Sequence, residues 1–256
     1  MAIAQEQMRI SATNGSKRIP EPDWRALYRV GGFAAVVGAV LTPIVIAVFA
    51  AWPPPYDEGA QKWFELFQDN PVLGLLSLDL GYLVINVLMI PVVLGLYVAL
   101  RRVSPSIMTL AIVTFFVGLS AFFATSPSVE ILSLSNAYAD ASTEAERVAL
   151  IGAGEGLLAS FKGTAFHLNY ILAQLAGIAM GTVILRYGVF RRSVGWLMVL
   201  GNAVGFGLYL PVVGLGLSAF AGVVLWVWLI VLARGFFELV NSGSLTQTIL
   251  GRGGPR

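Results

Sequence analysis

Apolar residues in this chain run on for 18 to 30 positions at a time, and small clusters of charge separate the runs. About 20 mostly apolar residues make a helix long enough to cross roughly 30 Å of hydrocarbon. The pattern predicts spans near 28–52, 71–100, 107–124 and 163–185. A further stretch, Val194–Ala233, carries no charge, and its length suits two helices joined at Pro211–Gly216. Proline and two glycines there interrupt any helical ladder, which divides the stretch into spans near 194–211 and 216–234; a re-entrant pair is the alternative. The fold expected is an all-α polytopic transmembrane bundle of about six spans.

What lies between the runs completes the domain plan. Residues 1–25 are polar and unpatterned and read as a disordered tail; 26–238 form the transmembrane domain, and 239–256 a second tail. The first apolar run exceeds the roughly 7–15 residues of a signal-peptide core, so it is expected to remain as a span. Two segments, 53–70 and 125–162, are more than plain loops. After Pro53-Pro54-Pro55, residues Glu58–Gln68 set Trp63, Phe64 and Phe67 at helical spacing against Lys62, Glu65 and Asp69. That is the pattern of an amphipathic helix lying on the membrane interface. Ser142-Thr143-Glu144-Ala145-Glu146 resembles a helix start, with a hydroxyl cap and early acids. Val148, Ile151, Leu157, Leu158 and Phe161 continue it as an apolar stripe. Gly152, Gly154 and Gly156 either weaken that helix or admit a second backbone. These segments act as interfacial anchors or as a cap over an outward-opening cavity. Trp24, Trp52, Trp63 and Trp196 fall near the expected interfaces, where amphipathic rings are favoured.

Composition agrees. The chain is 57% hydrophobic and 12% charged, where soluble domains carry about 25% charged residues. A soluble enzyme, a nucleic-acid binder and a disordered chain are all excluded. No cysteine is present, which removes disulfides, thiolate nucleophiles and Cys-ligated metals. One histidine, His167, is too few for a bis-His haem or an HExxH metalloprotease helix. Neither a metal nor a cofactor is implied. The lysines, Lys17, Lys62 and Lys162, all fall outside mid-membrane positions.

Sorting charge by side sets an expected orientation. Thirteen of the 16 basic residues fall in the tails and in the links after the second and fourth spans, while Lys62, Arg147 and Lys162 lie opposite. The basic face, about +9, is expected inside and the acidic face, about −6, outside, with both termini cytoplasmic and the protein in a bacterial plasma (inner) membrane.

Asp79 belongs to neither face. Polar side chains within spans are costly and usually point into the bundle. Asp79-Leu-Gly-Tyr82-Leu-Val-Ile-Asn86 in the second span parallels His167-Leu-Asn-Tyr170-Ile-Leu-Ala-Gln174 in the fourth, 88 residues on. Each stretch has an ionisable group, then a phenol three residues later and an amide seven later, all on one helix face. A parallel duplication would give this pattern, and so would coincidence. We expect Asp79 and His167 to face each other or to share an outer-half cavity with Tyr82, Tyr170, Asn86 and Gln174. The alternative is that these side chains simply tie helices together, at about 0.6 kcal/mol each. Gly177-xxx-Gly181 and Gly201-xxx-Gly205 predict close backbone approach. Pro43 and Pro91 predict kinks, and Asn202 with Tyr209 adds a further inward-facing pair.

The run Gly74-Leu-Leu-Ser-Leu-Asp79-Leu, with Ile90-Pro91 through Leu96-Tyr97-Val-Ala-Leu-Arg-Arg, resembles a family of uncharacterised bacterial multi-pass membrane proteins, catalogued as a domain of unknown function. Glu155-Gly-Leu-Leu-Ala ahead of Gly163-Thr-Ala-Phe, and the fifth span with Pro211, share that likeness, which covers most of Trp24–Phe237. The resemblance implies a six-span bundle and assigns no catalytic residue.

Three function classes follow. The first binds, senses or transports a small amphipathic molecule or lipid through an outer-half cavity near Asp79 and His167. The second is an accessory or structural subunit of a membrane assembly. The third is an intramembrane enzyme with Asp79 and His167 as acid and base; no nucleophile motif accompanies them, so the balance leans away from it. Partners expected are membrane lipids, a small amphipathic ligand, and a second copy or partner subunits, but not nucleic acid.

Overall fold

In a computed structural model, residues 24–251 are described, with side chains assigned over 24–241 apart from residue 215. The predicted tail at 1–25 lies almost wholly outside the described residues. All regular elements among the described residues are helical. They are α1 (Arg25–Ala51), α2 (Gly59–Asp69), α3 (Pro71–Leu75), a π-helical turn (Leu76–Leu80), α4 (Gly81–Leu100), α5 (Pro105–Thr125), α6 (Ser128–Asp140), α7 (Glu144–Phe161), α8 (Thr164–Tyr187), α9 (Arg192–Gly205), a 3₁₀ turn (Phe206–Tyr209) and α10 (Gly214–Gly251).

Among the described residues, five helical stretches are long and apolar enough to cross a membrane: Arg25–Ala51, Pro71–Leu100, Pro105–Asp140, Glu144–Tyr187 and Gly216–Asn241. The sixth predicted span, 194–211, corresponds to 18 helical residues shifted by two: α9 has 14 residues, or ~21 Å at 1.5 Å per residue, and the four-residue 3₁₀ turn extends it by ~8 Å. Pro211 then ends it at the predicted turn. The left-handed residue of that turn is Val212 (φ 69°), not a glycine. Gly214 is needed next to it for space, because a Cβ there would stand 2.5 Å from the Leu208 carbonyl oxygen. In the segment expected as a tail from 239, α10 continues as helix to Gly251.

The helices close into a ring in which α1 packs on α4, α5 on α8, α8 on α9, α9 on α10, and α10 on α1, with α4 and α5 touching sparingly. Close approaches come at glycines, Gly181 among those expected and Gly31 an addition. Gly181 of α8 lies against the Gly195 carbonyl and Val199 of α9, and a Cβ on Gly31 of α1 would meet the Pro91 carbonyl oxygen at 3.0 Å. Arginines gather at the end of the bundle away from the α2, α6 and α7 helices. There Arg101 lies over the Trp24 ring (5.1 Å) and Arg191 pairs with Glu238 (3.1 Å). We call this the basic end and the opposite one the cap end.

The core is lopsided. At the basic end, Val92, Val93, Leu96 and Leu100 of α4, Met180, Val183 and Ile184 of α8, and Leu229, Leu232 and Phe236 of α10 fill the centre of the ring. Toward the cap end, no residue from Thr164 to Leu175 or from Gly216 to Val227 is buried. Twelve helical residues present every face, so the inward faces of α8 and α10 are only partly covered there.

A second core lies in the cap itself. Trp63, Phe64 and Phe67 of α2 are buried with Leu78, Phe122, Ile131, Leu158 and Phe161. This corrects two expectations. Residues 59–69 do not rest on the membrane interface through these rings, and Trp63, at 0% exposure, is not an interfacial belt residue. The rings instead join α2 to α6 and α7. The stretches of 36 and 44 residues are each two helices, α5 with α6 and α7 with α8. Helix α6, not anticipated from the sequence, forms after a break at Ser126–Pro127. The Thr143–Glu146 capping box starts α7. Val148 departs from the expected stripe and is exposed, whereas Leu158 and Phe161 are buried.

Candidate functional site

The predicted polar stripes occupy two different settings. Asp79 sits in the π-turn, where a wider helical turn loosens the regular backbone ladder. Its side chain is 0% exposed, and neither carboxylate oxygen has a hydrogen-bond partner. Ser126 lies beside the carboxylate but short of hydrogen-bond geometry, its Oγ also being unpartnered. Above the turn, the Tyr56 hydroxyl reaches the Ser77 and Leu78 carbonyls, each at 3.4 Å. Burial first, then Tyr82 and Asp79, raise the Tyr56 pKa, so this phenol stays a neutral donor.

The cap is fastened over this niche by polar bonds as well as by aromatic packing. Ala60 N donates to Glu155 Oε1 (2.6 Å), Ser135 Oγ to the Phe64 carbonyl (2.9 Å), and Lys162 Nζ to the Tyr56 carbonyl. Of the three glycines in α7, only Gly154 admits a neighbour. A Cβ there would stand 2.8 Å from Ala60 and Phe64, while Gly152 and Gly156 face open space.

His167 is exposed, at the start of α8. Its Nδ1 lies 3.1 Å from the Tyr209 hydroxyl, and Phe166 stacks on Tyr170 at 5.9 Å. Tyr170 donates to the Gly205 carbonyl (2.8 Å) and meets Ser218 Oγ at 3.3 Å. The Gln174 amide packs against the α-carbon of Gly205, as Asn202 does against Gly177. Asn202 Nδ2 also donates to the Met198 carbonyl one turn back (2.6 Å). On α4, Tyr82 is 44% exposed and rests on Phe49 (5.4 Å); Asn86 donates back to the Tyr82 carbonyl (3.0 Å). The phenols of Tyr82 and Tyr170 lie near enough to couple electrostatically.

Six of the residues read from the sequence as a site thus divide. Tyr82, Asn86, His167, Tyr170 and Gln174 are exposed or half-buried on α4 and α8, whereas Asp79 is fully buried. The expected Asp79–His167 pairing is corrected: His167 turns to Tyr209, and Asp79 has no ion-pair partner among the described residues. Of the four packing glycines, Gly177, Gly181 and Gly205 meet across α8 and α9, and Gly201 faces Val224 of α10. Sequence reasoning missed Ser126, Ser218 and the role of Tyr56. Each is an ordinary residue whose importance comes from what folds against it.

The arrangement offers a rim of aromatic rings with hydroxyl, amide and imidazole groups, half-exposed at membrane depth. It suits a ligand with an apolar body and a polar head. Compared with known proteins, the chain matches no family model, no curated protein and no solved structure.

Proposed function

We propose that the protein binds, senses or transports a small amphipathic molecule or lipid in the cap half of the ring, between α4, α8 and α10. The observation carrying this reading is the unequal filling of the ring: apolar side chains close its basic half, whereas Tyr82, Asn86, His167, Tyr170, Gln174 and Tyr209 remain exposed or half-exposed in the other. Polar groups left uncovered at membrane depth are costly, and a ligand head group would meet that cost. The bias of arginine and lysine toward the basic end supports a plasma-membrane orientation with that end and both termini cytoplasmic. The ligand would then enter from the outer leaflet.

Native mass spectrometry of the gently purified full chain tests this reading. The wild type should retain an amphipathic adduct, and Tyr170→Phe and His167→Ala should each lose most of it while staying folded. A wild type that flies bare under conditions preserving its fold, or an adduct retained equally by both variants, overturns the proposal.

A further inference from the structure

Asp79 is not needed for that binding reading, and its surroundings call for a separate account. Five oxygen atoms without a hydrogen-bond partner are buried on the π-turn, at the end of α5 and at the start of α6: two from Asp79 and one each from Ser77, Ser126 and Ser128. Helix α6 packs on the π-turn, and Ser126 stands beside the carboxylate. A desolvated carboxylate is strongly unfavourable unless a positive charge or hydrogen-bond donors compensate it. The cations nearest in the fold are engaged elsewhere, Lys62 with Glu65 and Lys162 with the Tyr56 carbonyl. Glu130 of α6 lies close enough to deepen the negative potential at Asp79. Hard oxygen donors carrying a single fixed negative charge match a hard cation of charge one.

We propose that Asp79 and Ser126 bind one sodium ion beneath the cap. The cap excludes water from the niche, which strengthens the attraction between ion and carboxylate. Trp63, buried in the cap core on which Leu78 also packs, is a nearby reporter. The ionisable groups beside the niche are Tyr56 and Glu130.

Thermal unfolding of the full chain in detergent provides the test, with sodium chloride exchanged for choline chloride at constant ionic strength and at several pH values from ~5 to ~9, which bracket neutrality and the ordinary carboxylate range. Wild type should gain at least ~3 °C in Tm with saturating dependence on sodium, and less with potassium. Asp79→Asn should fold and lose the response, and Ser126→Ala should raise the half-saturating concentration about tenfold. If Asp79→Asn fails to fold, the Ser126→Ala shift and the cation selectivity of the wild type decide. Equal Tm in sodium and choline at every pH overturns the proposal. Stabilisation by acid with no sodium response also does, because it identifies a protonated carboxylic acid. A sodium response that survives in Asp79→Asn overturns it as well.

Discussion

Asp79–Asn86 and His167–Gln174 share an order of side chains, run from the cap end toward the basic end, and end in opposite surroundings. The first begins in a π-turn with its carboxylate fully enclosed; the second begins with an exposed imidazole bonded to Tyr209. The difference comes from what covers them. Helices α2, α6 and α7 close over the first stretch and bring Tyr56, Trp63 and Phe64 with them. The second is met by the end of α9, whose Gly205 carbonyl accepts from Tyr170, by Ser218 of α10 and by Gly118 of α5, which lies against Asn169 and Leu172. Packing separates them too, since α8 lies along α9 while the corresponding pair, α4 and α5, touch sparingly. Similar spacing on a helix therefore sets which side chains share a face. The neighbouring segment sets whether that face is a sealed niche or an open rim.

The strongest way to break this contrast is to loosen the cap. Phe64 is buried against Gly154 and rests 5.5 Å from the Tyr138 ring. Phe64→Ala should cost ~3–5 kcal/mol of stability in the cap core. It should also make Asp79 reactive toward a water-soluble carbodiimide, detected by peptide mass spectrometry, where wild type is protected. If the variant keeps wild-type stability, or Asp79 reacts equally in both proteins, the cap is not what seals the niche.

Next in size is the direct exchange of the two ionisable groups. In sodium-free buffer Asp79→Asn removes a desolvated charge and should raise stability by ~1–3 kcal/mol. His167→Gln, at an exposed position, should stay within ~0.5 kcal/mol of wild type. Denaturant or thermal unfolding of both variants measures the pair. Equal shifts would mean that the two stretches share one environment after all.

Much of the scaffold was legible in advance because membrane spans obey a length and hydropathy rule that needs no tertiary information. The helix start at Thr143 and the chain reversal at Pro211 were legible from local chemistry. The cap was not. Trp63, Phe64 and Phe67 at helical spacing read equally as a membrane-facing or a protein-facing stripe, and only the unanticipated α6 decides between them. The site was legible to the level of which side chains share a face. Its division was not, because the niche depends on Ser126 and Tyr56, placed by breaks and loops that carry no periodic signal. The span at 194–211 was legible in length, but not the change to a 3₁₀ turn over its last four residues, because an uncharged stretch records hydrophobicity and not helix type.

The glycines of α7 sharpen the account of the cap at a smaller scale. Gly152 and Gly156 meet nothing within 4 Å, so alanine there should add ~0.5–1 kcal/mol by restricting the unfolded chain and favouring helix. Gly154→Ala places a methyl 2.8 Å from Ala60 and Phe64 and should destabilise. Unfolding midpoints of the three variants check the order. A gain at Gly154 equal to that at its neighbours would show that α2 does not seat against α7 there.

The smallest effect expected is local and depends on pH. At the start of α7, Glu146 accepts from the Thr143 and Ser142 backbone amides, at 3.1 and 2.9 Å. Those two bonds, with the adjoining hydroxyls, hold its carboxyl below the usual carboxylate range. Because the folded-state pKa is depressed, the stabilisation is complete above the unfolded value of about 4.5 and is lost as pH falls through the lower native value. Hydrogen exchange should therefore speed up in the first turn of α7 as pH is lowered below ~4.5, after correction for intrinsic rates. Glu146→Gln should show the faster exchange at neutral pH and lose the pH dependence. The Gly154–Phe64 contact lies two turns further along the helix, so Asp79 should stay protected from carbodiimide in Glu146→Gln. Labelling of Asp79 in that variant would show that the seal begins at the helix terminus and not at the aromatic core.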